Sequence, residues 1–364
     1  MKGGALLKKV GILTFYLNHN YGSTLQCYAL RRAIQKISNY DVSVIPHVFI
    51  DRIINGFGET YLREQYDKRL KKFDDFLKTE IGCTEKHISC VTKENVPKCD
   101  YYVAGSDVIW NTVLTKKDTN YFLDFADGMD ATKVAYAPSL GVSDVKKLDV
   151  NIFNTYIDKF DFLSVREKRD ISFIQKFTDK EVVHVLDPTF LLEKEDYLLL
   201  IENEERKTDK KFILLYLVYD RTENITKIID YANRISLEKG YKVIHFIYNI
   251  PDYIFEERGE SFAFSGPKEF LWYVCNAELV ITNSFHGLAF SVIFQKSFYV
   301  SVRKDGETKL EGMLKELGLE ERKFKMDISF ENTSFYLNYE KANQKLDYLK
   351  KKSYEYLKKS LDIK

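Results

Sequence analysis

The chain has 364 residues, long for one hydrophobic core, so its length predicts two domains that each bury a core of their own. Lys and Arg total 55 against 54 Asp and Glu, a net charge of +1, which excludes a broad field for nucleic acid or anionic lipid. Cys27, Cys83, Cys90, Cys99 and Cys275 form neither a CxxC pair nor a Cys/His cluster, so no structural zinc is expected and a reducing cytoplasm is the expected compartment.

The start, MKGGALLKKVGILTFYLN, lacks a long apolar run followed by a small-residue cleavage site, and no other stretch approaches bilayer-spanning length. Val10 to Phe15 reads as a strand. A polar turn, Asn18 to Gln26, follows it, then LQCYALRRAIQKI at helical spacing and the strand-like VSVIPHV, a βαβ opening that implies a parallel sheet. The pattern continues with a helix around Lys68 to Lys78, strands at Tyr101 to Ala104 and Lys133 to Ala137, and a helix around Ile152 to Phe160. A strand at Phe162 to Val165, a helix after Glu167 and a strand at Val182 to Leu186 complete one doubly wound domain.

Between Asp187 and Lys211 the sequence turns strongly charged and suits an exposed hinge. Alternation resumes with strand Phe212 to Val218, a helix near Ile225 to Glu238, strand Lys242 to Tyr248, helix Pro267 to Asn276, strand Leu279 to Ile281 and strand Phe298 to Val302. The expected division is residues 1–195, 205–335 and 336–364, the last a C-terminal helix packing across the domains. That helix, Lys341 to Leu361, is amphipathic and lysine-rich on its polar side; it is expected to pack on its own protein, with weak membrane-surface attachment as the alternative.

Four strand ends carry chemistry. The run Val280-Ile281-Thr282-Asn283-Ser284-Phe285-His286-Gly287 reads as a buried strand entering a polar, glycine-closed turn that opens a helix, where backbone N–H groups and the helix dipole favour an anion. His286 there suits a general acid or an anion ligand, and equally a plain helix cap. Asn20-Tyr21-Gly22-Ser23-Thr24-Leu25-Gln26 suits a phosphate or sugar loop, although Ser23 or Thr24 capping the helix explains it as well. It has neither P-loop nor GxGxxG spacing. At Gly105-Ser106-Asp107, a carboxylate can orient a base or bind sugar hydroxyls, while Trp110 is expected to anchor core packing. Arg166 suits a carboxylate or phosphate clamp, or a cap for the next helix. His47, His184 and His245 read as ordinary satisfied histidines, and His87 has no supporting context.

Taken in order, NYGSTLQCYAL, GSDVIWN, YAPSLG, SVREKRD, LDPTFLL and GPKEFLWYVCNAELVITNSFHGLAFSVIF resemble the polysaccharide pyruvyl transferase family, from about Val10 to Leu319. The resemblance implies an α/β fold of two Rossmann-like doubly wound domains, like the GT-B glycosyltransferases, with a C-terminal amphipathic helix. It also implies transfer of pyruvate from phosphoenolpyruvate to a sugar, or a lipid-linked glycan, as a ketal; that chemistry demands no metal, no clustered ligand set is visible, and neither a cofactor nor a nucleic-acid partner is expected. His286, Arg166 and Asp107 are then the catalytic candidates; Asn283, Ser284, Gly287 and Lys309 fall on the donor side, and Asn20, Tyr21, Gly22, Gln26 and Ser106 on the acceptor side.

The chain departs from the family pattern at three places. Val108 stands where glutamine is common, Tyr197 near a usual tryptophan, and Lys309 where arginine is commoner, a change that loses a bidentate fork but keeps the charge. Arg303 and Lys304 lie near enough in sequence to compensate. Two other readings compete: a GT-B glycosyltransferase using a nucleotide sugar, and a non-catalytic carbohydrate-binding relative.

Overall fold

The computed structural model describes residues 7–17, 19–48, 60–83, 87–205, 207–218, 222–248, 261–262, 265–302, 309–324 and 333–364. Asn18, Arg303 and Lys304 lie outside them. Strands and helices alternate. The first half contains β1 (Lys9–Leu13), α1 (Tyr21–Ile37), β2 (Asp41–Val44), α2 (Thr60–Phe76), β3 (Tyr101–Ala104), β4 (Thr132–Ala135), α3 (Val150–Tyr156), β5 (Leu163–Val165), α4 (Ile171–Ile174), β6 (Val182–His184) and α5 (Lys194–Ile201). The second contains β7 (Phe212–Val218), α6 (Thr222–Lys239), β8 (Lys242–Tyr248), β9 (Ser261–Phe262), α7 (Pro267–Asn276), β10 (Leu279–Thr282), α8 (Phe285–Ile293), β11 (Phe298–Val300), α9 (Lys309–Leu317) and α10 (Glu340–Ser360).

Two compact units result, one from Met1–Gly56, Asp74–Leu192 and Asp347–Lys364, the other from Phe57–Phe73 and Glu193–Leu346. In the first, β2-β1-β3-β4 form a parallel sheet, and the parallel pair β5-β6 continues it through a bridge between Val134 and Phe162, with Ala135 N–H donating to Phe162 O at 2.9 Å. β3 is apolar and buried throughout, as strands covered on both faces must be. Trp110 anchors this core: its ring stacks on Phe122 at 5.6 Å and its indole N–H reaches Tyr121 O at 3.2 Å. The second unit has the parallel order β11-β10-β7-β8-β9. In both sheets the chain reverses its direction of growth beside the first strand, between β1 and β3 and between β7 and β10, and the crevice past the carboxyl ends of such strands is where open α/β sheets receive ligands.

Three local expectations change. α1 begins at Tyr21, several residues before LQCYAL, because Asn20 rather than Ser23 or Thr24 is its cap: Asn20 Oδ1 accepts from Gly22 N at 2.9 Å and Ser23 N at 3.2 Å. The charged stretch after Asp187 is no continuous exposed hinge. Asp187, Thr189, Phe190, Leu191 and Tyr197 are buried, and the charges gather on the solvent side of α5 and beyond it. Gly287 does not close a turn; it sits in the first turn of α8.

α10 is amphipathic as its pattern predicts. In the first unit Leu186 N donates to Ser353 Oγ at 2.9 Å, while Tyr354 OH donates to Leu191 O at 2.7 Å and Tyr356 OH to Ala135 O at 2.8 Å. Lys341, Lys345, Lys351, Lys352, Lys358 and Lys359 lie exposed on the other side. Among the described residues no helix is long and apolar enough to cross a membrane.

Candidate active site

The carboxyl end of the first sheet is a hydrogen-bonded ledge. Thr14, just past β1, donates through Oγ1 to Ser106 O at 2.7 Å, and Gln26 of α1 donates through Nε2 to Thr14 Oγ1 at 3.0 Å, Phe15 O at 2.9 Å and Ser23 O at 3.0 Å. Gln26 is fully buried, so it shapes the β1–α1 corner from beneath. Gly105 lets the two corners meet, since a Cβ there would stand 2.9 Å from Thr14 Cβ.

Asp107 occupies the left-handed region at φ +71°, a conformation that costs a non-glycine residue about 1–3 kcal/mol and persists only where its surroundings impose it. The surroundings do so here: Ser139 N donates to Asp107 O at 2.9 Å, Val108 N to Asp107 Oδ1 at 2.8 Å, and Ser23 Oγ to Asp107 Oδ2. Asp107 keeps 7% exposure. Ser106 beside it is fully buried and donates through Oγ to Asp187 Oδ2 at 3.0 Å.

Arg166, at the end of β5, lies beneath this ledge with its side chain 0% exposed, Nε 2.9 Å from Glu167 Oε1 and Nη1 3.0 Å from Asp187 Oδ2. Burial works against its charge, but the carboxylates of Glu167, Asp187 and Asp107 outweigh burial and raise its pKa. The sequence singled out Arg166 and Asp107 but not Asp187 or Glu167. The signal for Asp187 was present in LDPT: an aspartate before proline with threonine next is a side-chain-capped turn, and Asp187 Oδ1 accepts from Thr189 N at 3.0 Å.

Burial and the neighbouring Glu167 carboxylate push the Asp170 carboxyl far above the usual carboxylate range, while Arg169 and the Leu140 N–H act the other way. A carboxyl raised on folding binds its proton more tightly in the folded state, so it favours folding at low pH and that contribution fades as pH rises toward the folded value. Asp170→Asn is therefore expected to flatten the fall of melting temperature between acid and mildly alkaline pH. A slope equal to wild type in thermal scans across that range removes this account.

In the second unit β10 leads directly into α8. Thr282 Oγ1 donates to Tyr216 O at 2.6 Å and accepts from Ser284 N at 3.0 Å, and Asn283 brackets β7, accepting from Val218 N at 2.7 Å and donating to Val218 O at 2.9 Å. The Asn283 amide thus fastens the ends of the two switch-point strands together. Ser284 stands at the N-cap of α8, and His286 sits in the first turn with 6% exposure, its ring 5.3 Å from that of Phe285 and perpendicular to it. Lys309, the first residue of α9, holds Nζ 5.9 Å from the Phe285 ring. Tyr197 is fully buried edge-on to Phe290 at 5.2 Å.

Gly287 has a steric reason. A Cβ there would fall 2.2 Å from Thr282 Oγ1 and 2.8 Å from Thr282 Cβ, so the helix start can press against the strand end only without a side chain. Gly287→Ala is expected to destabilise by about 1–3 kcal/mol through overpacking. Chemical denaturation reads this, and an unchanged midpoint counts against the close approach.

The candidates therefore fall into two groups. Asn20, Tyr21, Gly22, Gln26, Ser106, Asp107 and Arg166 gather around the ledge of the first unit, while Asn283, Ser284, His286, Gly287 and Lys309 gather at the start of α8 in the second. A surface recess of about 510 Å³ in the first unit is bounded instead by residues such as Thr92, Lys93, Asp118 and Asn120, none of them in either group.

Two parallel Rossmann-like units, each with polar residues past its switch-point strands, define a GT-B-like α/β protein. Solved structures of similar fold are a putative UDP-N-acetylglucosamine 2-epimerase from Listeria monocytogenes (10% identity, 98% of this chain and 97% of that one, TM-score 0.55) and the UDP-N-acetylglucosamine 2-epimerase from Rickettsia bellii (9% identity, 98% of each chain, TM-score 0.52). No curated protein matches the chain. The family model "Polysaccharide pyruvyl transferase" matches residues 20–304, and the chain belongs to that family.

Proposed function

We propose that this protein transfers a pyruvyl group from phosphoenolpyruvate to two hydroxyls of a sugar in a polysaccharide or glycan precursor, forming a ketal. The observation that carries the reading is His286 in the first turn of a helix that starts at a switch-point strand end, in a chain of this family. In the reaction the enol methylene takes a proton and becomes a methyl group, which leaves an oxocarbenium-like carbon. One hydroxyl adds there; the bond from that carbon to the phosphate oxygen breaks; the second hydroxyl then adds. Of the two hydroxyl protons, one balances the new methyl hydrogen and the other leaves with phosphate.

His286 supplies the first proton or grips the enolpyruvyl anion, with Lys309 as an added positive charge. The first unit suits the acceptor. Its ledge places Asp107, Glu167 and Asp187 around a single buried guanidinium, a negative balance that favours hydroxyl groups over a phosphate or carboxylate. On this reading Arg166 serves as the ledge's counter-charge, and Asp107 aligns or deprotonates a hydroxyl.

Thermal shift and product analysis test this together. Phosphoenolpyruvate is expected to raise the melting temperature, and phosphate to be released only with a suitable acceptor whose mass grows by one pyruvate less one water. Stabilisation by a nucleotide sugar alone favours a glycosyltransferase, and stabilisation by neither favours a non-catalytic relative. Proton transfers and carbon–oxygen bond exchange balance the reaction without a metal, so turnover is expected to persist in a chelator; complete loss there overturns the metal-free reading.

A further inference from the structure

We propose that Asp187 is the positioning residue of the acceptor ledge, the group that fixes Ser106 and Asp107 in working geometry without touching substrate. This rests on the reading of the first unit as the acceptor side.

Asp187 is completely buried and its two oxygens receive four donors. Oδ2 accepts from Ser106 Oγ at 3.0 Å and from Arg166 Nη1 at 3.0 Å; Oδ1 accepts from Thr189 N at 3.0 Å and from Thr189 Oγ1 at 2.8 Å. A carboxylate has about four lone-pair sites, so Asp187 has none left for a ligand and acts only through the groups it holds. Those groups come from three corners. Ser106 belongs to the corner after β3, Arg166 to that after β5, and Thr189 to that after β6.

The link to Asp107 is the shared backbone. Ser106 is pinned at both ends, its hydroxyl on Asp187 and its carbonyl on Thr14 Oγ1, and the next residue is the one held at φ +71°. Freeing the Ser106 hydroxyl removes one of the restraints that keep Asp107 in the left-handed region. A second link is electrostatic. Arg166 interacts with Asp187, Glu167 and Asp107 together, so neutralising Asp187 removes a negative charge from the neighbourhood of Asp107 and leaves the guanidinium less compensated. Both changes alter the field around the Asp107 carboxylate as well as its backbone restraint.

The test uses Asp187→Asn, close in shape, with Thr189→Val as the milder variant that removes one donor and leaves Ser106 and Arg166 in place. Hydrogen–deuterium exchange of the intact chain gives a readout independent of the reaction: amides of residues 105–111 are expected to exchange at least about ten-fold faster in Asp187→Asn while those of β7 and β10 stay unchanged. Kinetics with phosphoenolpyruvate and an accepted sugar are expected to show kcat lowered at least about ten-fold and acceptor KM within about two-fold. Thr189→Val is expected to move exchange and kcat in the same directions by less, and it decides the matter if Asp187→Asn does not fold. Unchanged exchange, uniformly faster exchange across both units, or unchanged kcat overturns the proposal. A wild-type protein that transfers no pyruvyl group overturns the functional reading instead, and the exchange result still decides whether Asp187 fixes the ledge.

Discussion

Replacing His286 by alanine is expected to lower acceptor-dependent phosphate release from phosphoenolpyruvate by about 10²–10⁴-fold, the range that a positioned acid or base supplies. The fold is expected to survive, because the β10–α8 junction is built by other groups. Thr282 fastens the strand end to Tyr216, Asn283 brackets Val218, and Gly287 lets the helix press on the strand. On the proposed reading the His286 ring supplies the chemistry at a corner that these contacts hold. His286→Gln separates the two roles left open. A glutamine side chain donates a hydrogen bond but does not shuttle a proton, so it fails like alanine if His286 is the acid and recovers activity if His286 only grips the anion. Turnover equal to wild type in both variants would falsify the assignment of His286.

Arg166→Ala has the opposite profile. Its largest effect is expected on stability, a loss of about 3–5 kcal/mol, because removing one partner of a buried ion pair leaves the other charge uncompensated. Asp187 and Glu167, 0% and 8% exposed, would be left without their shared cation. Arg166→Lys keeps the charge but not the fork that reaches two carboxylates, so it is expected to fall between wild type and alanine. Urea unfolding measures this; a midpoint for Arg166→Ala within error of wild type would show that the guanidinium does not hold the ledge. The contrast between the two variants also tests the division of labour, with activity lost at the start of α8 and stability lost beneath the ledge.

Much of the fold was legible in the sequence because hydrophobic periodicity is local. Strands β3, β7 and β8 and helix α7 have the limits that the apolar runs predict. The misreadings came where a particular side-chain contact, near or distant in sequence, decides. Asn20 caps α1 through its own side chain, so a helix began inside what reads as a polar loop. The charges around α5 concealed Asp187, whose burial depends on Arg166, 21 residues away, and on Ser106, 81 residues away. Gly287 resembles a turn residue in sequence, yet its reason is the Thr282 side chain behind it. The strand-end candidates were found because glycine, hydroxyl, amide and carboxylate residues cluster there visibly. Which of them hold the backbone and which face a ligand depends on hydrogen-bond partners, and no spacing rule carries that.

The first sheet's pairing runs past its named strands: Asp107 bridges Pro138, Ser139 N donates to Asp107 O, Arg166 N to Pro138 O and Val185 N to Val165 O. Surface loops ordinarily accept insertions because few ladder bonds constrain them. Here each corner is a rung shared with its neighbour, so adding or deleting one residue after β3 or β4 would shift the register of the whole ledge. Side-chain exchange at fixed length, rather than insertion, is the change that this ledge can absorb.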